Sequence, residues 1–396
     1  MKKIKLTDIA PYSGKRVQPF DGVKRYMSTG DLKGDNLSFE DVTYQSKPSR
    51  ADIIVSEGDI LFAKMTNTNK ALQIDKELEG IIVSTGFSVH RPLENELFGE
   101  YFLHFLKHNI FQRQKNKLCT GAIQSAISNS GIEKIFVPVP DYNDQLHIAN
   151  ILSKAENLIA QRKESIRMLD EFLKSTFLEM FGDPGINPKK WPVKKLEDYI
   201  EYMGDIGSNG SNEMVAKNLE MLDEEDYAIM IRTTNLTRND FKNNIKYVTK
   251  KTYDFFKKSK IYGGEIIMNK IGSAGDFWLM PNLNRPVTLG LNQLVIRPKN
   301  MPTLFLFHYL STDYGKMIVK AQCKGATTKS ITKTAVKALP IIVPPFELQT
   351  KFAQIVEKTE ALKTQYQQSL QELENLYGSL SQKAFRGELV NKSSMV

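Results

Sequence analysis

The chain is poor in the residues that disulfide and metal chemistry require. Its 396 residues include two cysteines and five histidines. Cys119 and Cys323 supply no disulfide framework, which suits a reducing, cytoplasmic compartment. The scattered histidines and the cysteine pair give no zinc-ligand spacing. No stretch approaches the roughly 18 consecutive apolar residues of a membrane span. The basic start, Met1-Lys2-Lys3, has no apolar run behind it, so neither a span nor a secretory signal is expected. Phosphate-loop chemistry is missing too. No glycine-rich loop ends in Gly-Lys-Ser or Gly-Lys-Thr, and "GDIGSNGS" (204–211) lacks the lysine and reads as a flexible insertion. The nuclease pattern of a carboxylate followed by Glu/Asp-x-Lys is absent before Lys64, preceded by Phe62-Ala63, and before Lys270, preceded by Met268-Asn269.

The composition that remains is ordinary for a globular protein, with 41% apolar and 25% charged residues. Its length leaves room for two or three domains. The net charge of +9 favours a phosphate-bearing partner such as nucleic acid.

The most informative feature is an internal repeat. Displaced by 204 residues, the sequence matches itself: Cys119 falls on Cys323, Gly121-Ala122 on Gly325-Ala326, Ile127 on Ile331, Val139-Pro140 on Val343-Pro344, and Gln145 on Gln349. With small insertions the match extends back, "GDILFAK" (58–64) to "GEIIMNK" (264–270) and "VSTGFSVHRP" (83–92) to "VTLGLNQLVIRP" (287–298). Each copy has a globular part followed by a helical part. His90, His104, His108, His147 and His308 read as non-repeating structural or exposed positions.

The repeat also disposes of one enzymatic reading. Pro344-Pro345-Phe346 looks like the proline-proline-aromatic run of DNA amino-methyltransferases, whose polar first residue holds a flipped base. Here Val343 occupies that place, and the first copy has Pro140-Asp141-Tyr142. A helix start fits better: proline is tolerated at the first helical position, and Asp141 suits an N-cap.

Two long helices are expected, over 143–181 and 347–385. In the first, Ile148, Leu152, Ala155, Ile159, Ile166, Leu169, Leu173 and Met180 recur at spacings of three and four, with interruptions at Arg162 and Thr176. Gly182-Asp183-Pro184-Gly185 supplies the stop. In the second, the stripe is Phe352, Val356, Thr359, Lys363, Tyr366, Leu370, Leu373, Tyr377 and Leu380, weakened at Gly378. A helix with one apolar stripe is not stable alone. If the two pair, connectivity makes them antiparallel, as a rod of about 57 Å for about 38 residues, with the globular parts at its two ends; the alternative is two separate bundles, each helix folded onto its own globular part.

Before each helix the chain reads as mixed α/β with short strands. The segments 98–117 and 303–324 each read as one helix with a basic end. Polar and basic residues gather in the expected loops: Lys64, Thr66, Asn67, Asn69 and Lys70 after one strand, Lys270 and Ser273 after its counterpart. Gln124 and Ser125 lie in the first Gly-Ala loop, and Lys324, Thr327 and Lys329 in the second. Arg232, Thr233, Thr234, Asn235 and Arg238 align with 28–32. These are the residue types that hold phosphates and read base edges.

The twice-used Val-Pro-x-(Tyr/Phe)-x-x-Gln helix start (139–145, 343–349), the duplicated long helices, the strand motif Gly-Asp/Glu-Ile and the "FLEMFGDP" junction (177–184) resemble the DNA-specificity subunit of type I restriction-modification systems. The resemblance covers nearly the whole chain. It departs where the family often has Pro-Pro and Glu before Gln: Pro140-Asp141 and Asp144 in the first copy, Leu348 between Glu347 and Gln349 in the second. The resemblance implies an α+β fold with an internal pseudo-two-fold repeat: target-recognition domains over 1–140 and 185–344, and helical regions over 141–184 and 345–396, paired as an antiparallel coiled coil. It also implies no catalysis by this chain. Each domain would read one half of a split target in double-stranded DNA, and the helices would set the spacer and dock two modification subunits. S-adenosylmethionine, ATP and Mg²⁺ would belong to those methyltransferase subunits and to restriction subunits. The alternative is an autonomous methyltransferase or nuclease fused to its own recognition domain.

Overall fold

The computed structural model describes residues 1–34, 36–121 and 125–390. The chain divides into two compact units, Met1–Glu164 with Gln368–Val396, and Ser165–Gln367. Each contains two larger sheets, of five and three strands in unit 1 and of four strands each in unit 2, together with smaller two-stranded pairings, a helical hairpin and one half of each long helix.

In both units a short, fully buried strand feeds two cores. In unit 1 it is Ile60–Ala63, flanked antiparallel by Phe87–His90 and Ala71–Gln73. All four of its residues are buried, and side chains alternate between faces. Ile60 and Phe62 join the core of Tyr101, Phe102, Phe105 and Phe111, whereas Leu61 and Ala63 join that of Met27, Val55, Val83 and Phe87. Unit 2 repeats the plan with Ile266–Asn269: Ile266 and Met268 face the helix-side core, and Ile267 faces the second sheet. That second sheet contains one parallel pair in each unit, Lys24–Met27 with Ile82–Ser84, and Ala228–Ile231 with Val287–Leu289.

The segments expected as single helices are broken in two. Gly99–Lys107 is followed by Asn109–Leu118, and Thr303–Ser311 by Asp313–Ala321. At each break a polar residue is extended and caps the next helix. His108 Nδ1 accepts from Ile110 N–H (3.2 Å), and Thr312 Oγ1 from Gly315 N–H (3.0 Å). A side-chain cap satisfies donors that a continuing helix would otherwise bond, and apolar periodicity alone does not reveal it.

The long helices span Tyr142–Phe181 and Phe346–Arg386, so the prolines stand just before them rather than inside their first turn. Every residue of the two expected stripes is buried or half-buried. The helices run antiparallel within each unit. In unit 1 the Tyr377 hydroxyl donates to Glu156 (2.6 Å), and Lys163 pairs with Glu374 (3.0 Å). In unit 2 Lys363 pairs with Asp170 (2.5 Å), and Phe177 packs edge-on against Phe352 (5.4 Å between centroids). Partner numbers rise on one helix as they fall on the other. At its end the first helix leaves the coiled-coil stripe: Leu173, Phe177 and Phe181, four residues apart, are fully buried beside Phe305 and Phe352. Gly182 then turns with φ +79°, where a Cβ would stand 2.6 Å from Pro188.

The helix-start motif has a physical role in both copies. Gln145 is completely buried, and its amide donates to Pro140 O (3.0 Å) and Glu96 O (2.9 Å) while accepting from Phe98 N–H (2.8 Å). Gln349 Nε2 donates to Pro344 O (2.7 Å). The glutamine folds back to bond the proline carbonyl five residues earlier, at the point where the strand turns into the helix.

Two of the five histidines do repeat. His104 and His308 stand 204 residues apart, at the same place in equivalent helices. His104 contacts Ser153 and Tyr377; His308 packs on Phe352 (5.3 Å), and burial lowers its pKa to about 4.

Candidate nucleic-acid interface

In each unit three segments from distant parts of the sequence meet at the end of the central buried strand. Two hydrogen bonds define the junction and recur in both copies. Ile127 N–H donates to Lys64 O (3.0 Å) and Ile331 N–H to Lys270 O (2.9 Å). Thr66 N–H donates to Ser125 O (2.9 Å) and Gly272 N–H to Lys329 O (3.0 Å). The Gly-Ala loop is therefore laced to the loop that follows the strand. The third segment is a turn that the repeat also aligns: Ser28 N–H donates to Asp31 Oδ2 (2.8 Å), and Arg232 N–H to Asn235 Oδ1 (3.2 Å). It joins the first loop through Lys70 Nζ and Thr29 O (2.5 Å) in unit 1, and the last residue of the central strand through Thr233 Oγ1 and Asn269 Oδ1 (2.8 Å) in unit 2.

Within unit 1, Lys64 is half-buried, and burial lowers its pKa. Among the described residues no carboxylate pairs with its ammonium. Nearby His90 is kept neutral, with a pKa near 4, because it is buried. Its ring bridges Ala10 O and Ser88 Oγ, both at 2.8 Å. Asn67 adopts φ 54°, and it exchanges hydrogen bonds with Asn116, donating its N–H to Oδ1 (3.0 Å) and accepting from Nδ2 (3.1 Å). Asn69 is exposed, Ser125 half-buried, and Gln124 lies outside the described residues. Lys115, at the end of Asn109–Leu118, is completely buried and donates to Ala63 O (3.2 Å) and Thr68 O. It holds the 64–70 loop from beneath. Burial pushes its pKa down to about 8. A lysine in a basic helix end reads as solvated, so nothing in the sequence marks it; the equivalent position of unit 2 is Val319.

Unit 2 is built differently. Lys270 Nζ lies 2.5 Å from Asp205 Oδ2, and Lys333 Nζ 3.1 Å from Oδ1. Asp205 is 4% exposed. Burial alone would raise its pKa, but Lys270, Ser208 and Lys333 outweigh that and hold it at about 2. The 204–211 segment is thus part of the site: Asp205 caps the short 3₁₀ turn Ile206–Asn209, and Ser208 donates to its carboxylate (2.5 Å). Ser273, Lys324, Thr327 and Lys329 are exposed on the two laced loops. Arg232 donates to Asn244 O, whereas Thr233 and Asn235 bond internally, Thr233 also accepting from Gln293 (3.0 Å) and Asn235 donating to Asp240 O (3.2 Å).

Residues 1–168 and 188–375 match the family described as "Type I restriction modification DNA specificity domain", once in each copy of the repeat. The chain belongs to the type I restriction-modification DNA specificity family. Among curated relatives it is 24% identical over 329 residues to a "Putative type I restriction enzyme MjaX specificity subunit" of Methanocaldococcus jannaschii, covering 77% of this chain and 72% of that one. It is 23% identical over 366 residues to the MjaVIII specificity subunit of the same organism, covering 87% and 81%. Two solved structures share the specificity-subunit fold. One is a chain from "Structural basis underlying complex assembly and conformational transition of the type I R-M system", with a TM-score of 0.61 at 18% identity, covering 98% of this chain and 97% of that chain. The other is the type I restriction-modification S subunit from M. genitalium, with a TM-score of 0.59 at 15% identity, covering 97% and 96%.

Proposed function

We propose that this chain is the non-catalytic DNA-reading subunit of a cytoplasmic type I restriction-modification complex. Each unit reads one half of a bipartite target in double-stranded DNA with its three convergent segments. The paired long helices set the number of unread base pairs and dock two modification subunits. S-adenosylmethionine, ATP and Mg²⁺ act on those subunits and on restriction subunits. One observation carries this reading: the same loop junction is built twice by identical backbone hydrogen bonds, yet bears Lys64 and Lys115 in one copy and Asp205, Lys270 and Lys333 in the other. A shared frame with different side chains fits two similar readers of two different sequences. The surplus of positive charge fits phosphate contacts.

The experiment compares the purified chain alone, modification subunits alone, and both together, each with labelled S-adenosylmethionine and host-strain DNA. Sequence-specific methylation is expected only from the mixture. Methyl transfer by the chain alone would establish the autonomous methyltransferase instead.

A further inference from the structure

Beneath the loops of unit 2, one buried acid organises two lysines that reach the surface. The side chain of Asp205 is 5% exposed, against 18% for Lys270 and 37% for Lys333. Lys270 opens the first loop, and Lys333 begins the short helix just beyond the second. Lys333 also donates to Ser208 (2.8 Å), which itself bonds Asp205, so the cluster closes into a ring of contacts. Two ammonium groups and one carboxylate leave a single positive charge, held at a fixed place.

In unit 1 no carboxylate among the described residues pairs with Lys64, the counterpart of Lys270. In unit 2 Gly204 faces Val295 across the ladder, and Asp205 follows it. In unit 1 Ser13 N–H bonds Val89 O (3.2 Å), and the next residue is Gly14. No carboxylate can therefore rise beneath Lys64 from this position.

We propose that Asp205 is a positioning residue of the second unit: it aims Lys270 and Lys333, as a fixed pair, at phosphates beside the bases which that unit reads, while Lys64 makes the corresponding contact of the first unit unaided. This rests on the reading of the loops as DNA-binding. An acid that only stabilised the fold would leave DNA discrimination and its salt dependence unchanged.

The test uses the full chain assembled with its modification subunits. Affinities are measured across a salt series for duplexes carrying the methylation-mapped target, the target with either half scrambled, and an unrelated sequence. Wild-type complex that discriminates against neither scrambled half would overturn the loop reading, and this proposal with it. With discrimination established, Asp205→Asn is expected to reduce it at least tenfold at one half and less than twofold at the other. On unrelated DNA its salt dependence should steepen by about one counterion, because losing the carboxylate raises the net charge of the cluster by one. Lys333→Met should weaken the same half and make the salt dependence shallower by about one, and Lys64→Met should act on the opposite half. Full discrimination at both halves in Asp205→Asn, an equal loss at both with an unchanged salt slope, or Lys333→Met acting on the Lys64 half would each refute the proposal.

Discussion

The glutamine of the helix start occurs in both copies, but the structure gives the two residues unequal weight. Gln145→Met removes three hydrogen bonds, to Pro140 O, Glu96 O and Phe98 N–H, from a completely buried site. Leaving a buried donor or acceptor unpaired costs about 1 kcal/mol or more per group, so the helix start should be destabilised by about 3 kcal/mol. Gln349→Met removes one bond, to Pro344 O. It also removes Gln349 Oε1, which is buried without a partner, so the two effects oppose and the change should be about 1 kcal/mol or less. Methionine is close in length and flexible, which keeps the packing comparable. The assay is hydrogen exchange resolved by mass spectrometry, read at the first turns of both long helices in each variant. Since about 1.4 kcal/mol is a tenfold change in an equilibrium, protection near residue 145 should fall about a hundredfold in the first variant. Protection near residue 349 should fall less than about tenfold in the second. Equal losses, or a larger loss at Gln349, would refute the claim that these hydrogen bonds, and not the motif as such, determine the stability of the helix start.

Three further predictions follow from other parts of the chain. Gly378 lies inside the second long helix, and no heavy atom lies within 4 Å of a Cβ placed there. Gly378→Ala should therefore stabilise the chain by about 0.5–1 kcal/mol, measured by urea denaturation. Asp205 has its folded pKa lowered from 3.8 to about 2, so its contribution is present above the unfolded value and disappears as pH falls from about 4 to 2. Asp205→Asn should be about 2 kcal/mol less stable at pH 7, with the difference vanishing over that range in pH-dependent unfolding followed by Trp191 and Trp278. Deleting one heptad from the middle of both long helices should shorten the spacer of the methylated target and leave both half-sequences intact, as read by methylation sequencing; altered halves with an unchanged spacer would contradict it.

The parts of the fold that were legible in the sequence are those governed by one dominant force. The stripe of Ile159, Ile166 and Leu169 on one helix and Tyr366, Leu370 and Leu373 on the other is legible because these residues join neither domain core, whereas Ile148 and Leu152 also pack into the core of unit 1. The stripe loses register at Leu173, where packing passes from coil to domain. There the fully buried residues are Phe177 and Phe181, on the spacing of a straight helix against a globular core, while Met180 is half-buried at its edge. The loop groups were legible as polar clusters, and the repeat paired them correctly. What composition could not reveal is which lysine is buried and which is paired. Lys115 and Lys64 are both lysines near apolar strands or helices; only the fold places one beneath the loop, donating to carbonyls, and the other at its edge. Asp205 was hidden for a related reason: a glycine- and serine-rich segment reads as an insertion until the ladder brings its acid under Lys270.

The central claim is that the two units are separate readers on one frame. The most direct measurement replaces residues 185–344 with the corresponding segment of another specificity subunit of known target, and maps methylation genome-wide in a host supplying the modification subunits. One half of the target should become that of the donor, with the other half unchanged. A target altered in both halves, or in neither, would contradict the account.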